Sequence, residues 1–230
     1  MRIDKFLANK AVGSRKEVHE LIKRGYVTVN SDIIKQKDAH IDEHSDCIAV
    51  NGEIISNKQK YYIKFNKPAG YVTAVEDSKA PVVMDVLPPE FIKMGVFPVG
   101  RLDKDTEGLL LLTNDGVWAH RVINGKKEVP KCYEFTYEGE LANDASAQIN
   151  AGIVLEDGTH CKPGILELLD NQKGLLTITE GKFHQVKRMI AAVGGKITYL
   201  KRLSIHNINL SNIEKVKEFT DLTAEEIGYF

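Results

Sequence analysis

A charged segment that precedes four leucines is the part of this sequence best suited to chemistry. Residues 100–108 read G-R-L-D-K-D-T-E-G, and residues 109–112 are all leucine. Four consecutive leucines are too few to cross a membrane, and they predict a fully buried strand. The polar segment must then lie at the mouth of a core, where a carboxylate such as that of Asp103 is available as a nucleophile or a base.

Two other uses of clustered carboxylates do not match this spacing. A phosphatase loop of the D-x-D-x-T type follows its apolar strand, whereas here the strand comes after the acids and Thr106 stands one position early. A calcium loop alternates further oxygen ligands and ends on a distant glutamate. Neither pattern is present in this segment.

The seventeen residues 100–116 resemble the signature loop of the pseudouridine synthases that carry an N-terminal S4 domain. In that family the aspartate of G-R-L-D is the catalytic group, and Asp103 holds its place. The family's reaction breaks the bond between uracil N1 and the ribose, turns the base over and rejoins it through C5. The resemblance implies that Asp103 acts at the ribose as nucleophile or as base, and the sequence leaves both roles open. It also implies that Arg101 contacts phosphate or fills the space that the target base vacates.

A second match lies in H-Q-V-K-R-M at residues 184–189, which resembles the family's third motif. Its apolar positions predict a helical stripe that faces the core, with Lys187 directly beside it. Because burial alone raises the pKa of an aspartate, a nearby cation is needed to keep such a group ionised. The resemblance assigns Lys187 as the partner of Asp103 and leaves Arg188 as an RNA or structural contact.

Two shorter matches accompany these motifs. Residues 131–133, K-C-Y, match the family's K-x-Y motif, whose tyrosine stacks on the target uracil, so Tyr133 is predicted to hold the base. Residues 67–70, K-P-A-G, resemble the first motif, which is a turn at the end of a strand.

The N-terminal region resembles an S4 RNA-binding domain. Apolar residues 3, 6, 7 and 11 predict a first helix, the capping box Ser14-Arg15-Lys16-Glu17 opens a second, and Gly25 ends it. Alternating residues 26–29 and a turn at 30–32 predict a hairpin. The resemblance rests on S-R-K-E…L-I-K-R-G-Y-V-T-V-N, and it assigns the following four side chains to RNA: Arg15, Lys16, Lys23 and Arg24. The first two lie on the first turn of the second helix, where the helix dipole favours phosphate.

These elements predict an α+β protein of two domains. An S4-like (αL) RNA-binding domain occupies residues 1–58, and a pseudouridine synthase catalytic domain with a central, mainly antiparallel sheet occupies residues 61–230. The polar residues 56–60 are the predicted linker. Strands are predicted at 131–135 and 174–180, and residues 113–116 are predicted to cap a helix.

Composition is that of an ordinary globular protein with segregated charge. The 230 residues carry a formal net charge of −1, yet residues 181–213 hold six Lys or Arg and no acid, and residues 1–25 hold seven Lys or Arg against three acids. Two basic surfaces for nucleic acid are therefore indicated.

Three dispersed cysteines and the histidines at 120, 184 and 206 match no compact ligand spacing, so no metal site is predicted. The start of the chain lacks the apolar stretch of a signal peptide, which favours a cytoplasmic protein without a membrane segment.

The sequence therefore predicts an enzyme that needs no cofactor and isomerises one uridine of ribosomal RNA. The phrases at residues 115–121, 162–167 and 184–189 are most similar to the small-subunit (RsuA) subgroup, which implies 16S rRNA and a uridine of the position-516 type. The expected partner is small-subunit rRNA or an assembling small ribosomal particle, and a monomer is expected. Two alternatives stay open: a large-subunit (23S) rRNA pseudouridine synthase and a non-catalytic RNA-binding assembly factor. The presence of Asp103, Tyr133 and Lys187 argues against the second.

Overall fold

The chain divides into two units, Met1–Gln59 and Lys60–Phe230. They are seen in a computed structural model, which describes residues 1–43, 46–56 and 60–230. Residues 57–59, at the centre of the predicted linker, lie outside the described residues. The domain limits at residues 58 and 61 therefore stay a prediction.

The first unit consists of two helices followed by a small antiparallel sheet. The helices are α1 (Ile3–Asn9) and α2 (Arg15–Lys23), and the strands are β1 (Val27–Val29), β2 (Asp32–Ile33), β3 (Ile48–Val50) and β4 (Glu53–Ser56). The strand order is β2-β1-β3-β4, and the three described pairings are antiparallel. Apolar side chains from both helices and from β1 and β3 form one core beneath this sheet.

Local signals in the sequence determine where α2 begins and ends. Ser14 and Glu17 form the predicted capping box: the Ser14 amide donates to Glu17 Oε2 at 2.7 Å, and the Glu17 amide donates to Ser14 Oγ at 3.4 Å. Gly25 follows the helix with φ of +76°, as expected for a glycine that ends a helix. The prediction for α1 was too long, because Ala11 has φ of +57° and the helix ends at Asn9.

The second unit is built on a larger sheet with helices on its faces. Its helices are α3 (Glu90–Lys93), α4 (Gly116–Ile123), α5 (Ala145–Ala151), α6 (Gln185–Ala192) and α7 (Ala224–Gly228), with short 3-10 turns at Val83–Val86 and Gly125–Lys127. Its strands are β5 (Tyr62–Lys67), β6 (Phe97–Val99), β7 (Glu107–Thr113), β8 (Lys131–Glu138), β9 (Ile165–Leu169), β10 (Lys173–Ile178), β11 (Lys196–Ile205), β12 (Ile208–Asn209) and β13 (Phe219–Asp221).

This sheet is mainly antiparallel, as predicted. Its order is β13-β5-β7-β11-β8-β10-β9, with β12 beside β11 and β6 beside β7. Among the described strands only β7 and β11 run parallel, with Lys201 opposite Glu107 and Arg202 opposite Gly108. Strand β7, which carries the four leucines, therefore lies between β5 and β11.

The leucine run is uninterrupted because both faces of β7 are covered. Leu110 and Leu112 face one core, which α6 joins through Val186 and Met189. Leu109 and Leu111 face a second core, which α4 closes with the fully buried Trp118. All four leucines are fully buried, which confirms the prediction of a buried strand. The loop at residues 100–106 thus enters a strand that is held on both sides.

The close approach of β7 to β11 requires a glycine at position 108. Gly108 has φ of +103°, a conformation that side-chain-bearing residues rarely adopt. A Cβ built there would overlap the backbone of Arg202. The glycine therefore allows the only parallel pairing among the described strands, and this pairing brings β11 beside the end of the 100–106 loop.

The helix after β7 begins as the sequence predicts. The Asp115 carboxylate accepts hydrogen bonds from the amides of Val117 and Trp118, at 3.0 and 3.2 Å, and caps α4. Burial raises the pKa of this carboxyl, but the hydrogen bonds from Lys60 and Tyr62 outweigh it and bring the pKa down to about 2. In the described part of the chain, no helix has the length and hydrophobicity needed to span a bilayer.

Candidate active site

A cavity of about 600 Å³ opens in the second unit next to the 100–106 loop. Its wall includes side chains from the loop, from β8, from β11 and from the segment before α6. The polar and aromatic residues among them include Arg101, Asp103, Lys104, Lys131, Tyr133, Glu180, Lys182, Phe183, His184 and Arg202. The Asp103 side chain is about a quarter exposed, so solvent and substrate can reach it from the cavity.

The loop that carries Asp103 is anchored from below by Lys67. This side chain is fully buried at the end of β5. The three N–H donors of its ammonium are shared among four carbonyls, those of Thr106, Asp103 and Lys104, at 2.8, 3.1 and 3.3 Å, and that of Pro68 at 3.0 Å. One cation thus fixes three carbonyl groups of the loop, and the backbone position of Asp103 depends on it.

Two further backbone contacts fix the same loop. Thr73 Oγ1 donates to the Leu102 carbonyl at 2.7 Å and accepts from the Leu102 amide at 3.1 Å. The Gly70 amide donates to the Lys104 carbonyl at 2.7 Å. Lys67 and Gly70 are the first and last residues of the K-P-A-G motif, so this motif supports the Asp103 loop in addition to forming a turn.

Lys187 lies between two carboxylates rather than beside one. Its ammonium is 3.4 Å from Asp103 Oδ2, but it is 2.6 and 2.8 Å from the two oxygens of Asp105. The structure brings Lys187 and Asp103 together, as the sequence interpretation requires, and adds Asp105 as the nearer partner. Burial raises the pKa of the Asp105 carboxyl, but the hydrogen bond and charge of Lys187 outweigh it and hold that pKa below its usual range.

The start of α6 is held by a polar pair, the buried Gln185 and the half-buried Glu180. Gln185 donates to Glu180 Oε1 at 2.8 Å, and its own oxygen accepts from the Lys182 amide at 2.8 Å. This pair determines where α6 begins, and so it determines where Lys187 points. His184 precedes the helix with φ of +49°, and its Nε2 is 3.6 Å from Asp103 Oδ1. Asp103 therefore lies between His184 and Lys187.

Tyr133 and Arg202 form the inner part of the cavity wall. Tyr133 is 7% exposed, and Arg202 is 3% exposed. Arg202 Nε donates to the Leu109 carbonyl at 2.7 Å, and Nη1 lies 3.5 Å from the Tyr133 hydroxyl. The guanidinium carbon is 6.0 Å from the centre of the Tyr133 ring, within reach of a cation–π contact. Among the described residues, Arg202 has no carboxylate partner within ion-pair distance, and its Nη2 has no hydrogen-bond partner.

Positive charge is concentrated on this wall. Lys131 donates to the Val129 carbonyl at 3.0 Å, and burial together with the charge of Arg202 lowers its pKa to about 8. Burial also lowers the pKa of Lys67 to about 8, against the opposing effect of Asp105, Glu107 and Asp103. Of these basic side chains, Lys131 and Arg202 line the cavity, whereas Lys67 lies beneath the loop. Two buried or half-buried cations on one wall suit a negatively charged ligand.

The predicted RNA contacts fall in different places. Arg101 is exposed and lines the cavity. Arg188 is not part of the cavity wall: one amino group pairs with Asp157 at 2.5 Å, and the other lies 3.4 Å from the Phe183 carbonyl. The remaining four are exposed on or directly after α2 in the first unit: Arg15, Lys16, Lys23 and Arg24. Their roles in RNA binding stay predictions.

Three residues of the site were not predicted from the sequence, although each has a feature that could have indicated its role. Lys67 was in a motif that was interpreted as a turn only. Asp105 is two residues after Asp103 and shares its loop. Arg202 is the one buried charged residue of β11, whereas buried strand positions are usually apolar. Within the described residues, no group of three or more His, Cys, Asp or Glu is arranged to hold a metal ion.

Replacing Lys67 with methionine should loosen the Asp103 loop. The variant keeps an unbranched side chain but leaves four carbonyls without their shared donor, so the free energy of unfolding should fall by about 2–4 kcal/mol. Hydrogen exchange of the amides at residues 103–106 should accelerate. Lys64→Met is the matched control, because Lys64 is a buried lysine of the same strand that pairs with Glu226 instead. Equal exchange in both variants would contradict the anchoring role.

The contribution of Lys67 should also depend on pH. Its pKa is about 8 in the folded protein against 10.5 for the free group. Between these values the unfolded chain binds more protons than the folded chain, so this contribution to the free energy of unfolding rises with pH. The stability difference between the wild type and Lys67→Met should therefore widen from pH 8 to pH 10 in denaturant titrations.

Comparisons with known proteins agree with this architecture. Residues 61–192 match the model of the RNA pseudouridylate synthase family, and residues 1–44 match that of the S4 domain. The chain is 43% identical to RNA pseudouridine synthase YtzG of Bacillus subtilis, with 99% of this chain and 97% of the relative covered. It is 36% identical to ribosomal small subunit pseudouridine synthase A of Escherichia coli K12, with 99% of both chains covered.

A solved structure gives the same result for the fold. A crystal structure of a pseudouridylate synthase superposes with a TM-score of 0.69 at 34% identity, and the match covers 99% of this chain and 98% of that one. The recognised family and the α+β fold with an N-terminal S4 domain are therefore confirmed. The chain belongs to the RNA pseudouridylate synthase family and is a pseudouridine synthase with an S4 domain at its N-terminus.

Proposed function

We propose that this enzyme converts one uridine of small-subunit (16S) ribosomal RNA to pseudouridine, with Asp103 as the catalytic group. The chemistry rests on the position of the Asp103 carboxylate. This group borders a cavity of about 600 Å³ and lies between the side chains of Lys187 and His184. Support for the target comes from relatives named ribosomal small subunit pseudouridine synthase A, which match over 99% of this chain at 36–38% identity. The name of YtzG specifies RNA only.

The reaction is an isomerisation, and the residues on the cavity wall suit its steps. The C1′–N1 bond of the target nucleotide breaks with its electron pair on N1, and a C1′–C5 bond then forms. N1 gains a proton and C5 loses one, so the net composition is unchanged. Asp103 acts at the ribose as nucleophile or as base, and Tyr133 offers its ring to the base. Arg202 and Lys131 lie where positive charge favours an electron-rich uracil ring.

The proposed substrate is 16S rRNA or an assembling small ribosomal particle in the cytoplasm, and the proposed nucleotide is the position-516-type uridine. The S4 domain offers a second RNA contact, since Arg15, Lys16, Lys23 and Arg24 are all exposed. A folded RNA must release its target base from the stack at a cost of a few kcal/mol. Binding energy gathered at a second contact helps to offset that cost.

Mapping of pseudouridine in ribosomal RNA tests the target directly. Cells that lack this protein should lose one pseudouridine in 16S rRNA, and the wild-type gene should restore it. Asp103→Asn keeps the size of the side chain but removes its charge, so it should not restore the site. In vitro its release of tritium from C5-labelled uridine should fall by at least about 1,000-fold. A lost site in 23S rRNA would move the target to the large subunit, and a near-normal Asp103→Asn rate would exclude Asp103.

A double-mutant cycle at Lys187 and Asp105, measured as rate against pH, should show that Asp103 and Asp105 share the Lys187 ammonium. Lys187→Met leaves two carboxylates without their common partner, so Asp103 should ionise less readily and the acid limb of the rate profile should move to higher pH. We expect a fall of about 100-fold at neutral pH that partly recovers as pH rises. Lys187→Arg should retain more activity because it keeps the charge.

Asp105→Asn distinguishes the two carboxylates. Alone it should keep activity within about 10-fold, because Lys187 can then serve Asp103 only. Combined with Lys187→Met it should restore part of the loss, since the second negative charge is gone. A Lys187→Met enzyme with the wild-type rate and pH profile would show that the charge of Lys187 does not act on Asp103 during the reaction.

The S4 domain should contribute to affinity through phosphate contacts. Replacing Arg15 and Lys16 with alanine in the full chain should weaken RNA binding and reduce the slope of log K against log salt by about 1–2, since each lost phosphate contact removes about 0.7–0.9. Lys35 and Lys37, which are also exposed but lie outside α2, provide a charge-matched control. An equal slope in the two double variants would mean that the start of α2 is not a specific RNA contact.

A further inference from the structure

An aromatic side chain projects from the edge of the cavity. Phe183 is 76% exposed, which makes it more exposed than any other large apolar side chain in the described part of the chain. It lines the cavity together with Asp103 and immediately precedes His184. Burying a phenylalanine side chain is worth about 1.5–3 kcal/mol, so a ring left in water is a costly feature unless something covers it in use.

One face of this ring is already covered. The Phe183 and His184 rings are stacked, with centroids 3.8 Å apart and planes inclined by 19°. His184 adopts φ of +49°, which is uncommon for a residue with a side chain, and its Nε2 is 3.6 Å from Asp103 Oδ1. Strained backbone of this kind clusters at functional sites. The Phe183–His184 stack thus extends from the cavity edge to the Asp103 carboxylate.

The backbone beneath the stack is held in place, although the ring is exposed. Arg188 Nη1 lies 3.4 Å from the Phe183 carbonyl, while the other amino group of Arg188 pairs with Asp157. On the other side, the Lys182 amide donates to Gln185 at 2.8 Å, and Gln185 in turn donates to Glu180. Both flanks of Phe183 are therefore tethered. A ring presented from a fixed backbone loses little freedom when a flat partner stacks on it.

The basic residues near the cavity opening, and the different depths of Tyr133 and Phe183, indicate which flat partner stacks on Phe183. The cavity wall carries Arg101, Lys104 and Lys182 near its opening, which suits a polyanion. A base inside the cavity meets Tyr133, which is only 7% exposed. Phe183 is too exposed to be an inner wall for that base, so its open face is available to a base that stays outside. Every nucleobase has a flat face that stacks on an aromatic ring.

We propose that Phe183, backed by His184, is a stacking platform for a nucleobase that flanks the target uridine and remains outside the cavity. The inference rests on the RNA-modifying activity of the family and not on the small-subunit target. Stacking on the platform holds the RNA beside Asp103 while the target base enters the cavity.

Steady-state kinetics on total ribosomal RNA from cells lacking the protein test the platform without assuming the target. Phe183→Ala should raise the half-saturating RNA concentration by about 5- to 150-fold, the equivalent of one lost stacking contact of about 1–3 kcal/mol at 1.4 kcal/mol per tenfold. Phe183→Trp should keep or lower that concentration. Ile165→Ala removes an apolar side chain of similar exposure, 68%, from β9 away from the cavity and should have no effect.

Fluorescence separates stacking from simple charge attraction. The only tryptophan of the chain, Trp118, is fully buried, so Phe183→Trp adds one exposed reporter over a constant background. Its emission should be quenched by ribosomal RNA but not by heparin, which is a polyanion without bases. Quenching by both, or wild-type saturation by Phe183→Ala, would overturn the proposal. If only 23S rRNA is modified, the proposal of a 16S rRNA target is wrong. The comparison of Phe183→Ala, Phe183→Trp and Ile165→Ala still tests the stacking platform.

Discussion

The position of Asp103 depends on one buried ammonium group. Lys67 donates to the carbonyls of Asp103, Lys104 and Thr106 from the end of β5, in the middle of the protein core. A loop of this kind has no strand partner of its own, and its carbonyls need a donor wherever water is excluded. The lysine supplies up to three hydrogen bonds from a single atom, so it can gather several carbonyls that no backbone amide reaches. Because β5 pairs along its length with β7, the anchor and the strand that follows the loop form one rigid unit.

The electrostatics of the site follow from how its charges are shared. Lys187 serves two carboxylates, because its ammonium is 2.6 Å from Asp105 Oδ1 and 3.4 Å from Asp103 Oδ2, so its charge is shared between them. Arg202 shows the opposite case, because within the described residues it has no carboxylate partner and its neighbours are the Leu109 carbonyl and the Tyr133 hydroxyl. A buried cation without an anion normally destabilises a fold. Its place beside the cavity suits a reaction in which the base becomes electron-rich.

Much of the local structure could be predicted from the sequence, because the responsible signals lie within a few residues of each other. The capping box at Ser14 and Glu17, the leucine strand and the Asp115 cap are all of this type. The partners of Lys67, Asp105 and Arg202 could not be predicted in that way. Lys67 is 36 residues from Asp103, Lys187 is 82 from Asp105, and Arg202 is 93 from Leu109. The Lys67 contacts depend on the pairing of β5 with β7, and that of Arg202 depends on the parallel pairing of β7 with β11. No local sequence pattern encodes either pairing.

The net charge of this protein does not indicate how strongly its surface attracts RNA. The chain as a whole carries a formal charge of −1, which would give no long-range attraction to a polyanion. Several acids are nevertheless already paired with a cation: Asp105 with Lys187, Asp157 with Arg188, and Glu226 with Lys64. At physiological salt, charges are screened beyond about 8 Å, so a phosphate near the cavity senses only the groups around it. There Arg101, Lys104 and Lys131 outnumber the acids of the wall, Asp103 and Glu180. In the proposed function, attraction to RNA therefore comes from local basic surfaces, namely this wall and the exposed basic side chains of α2, rather than from the net charge of the chain.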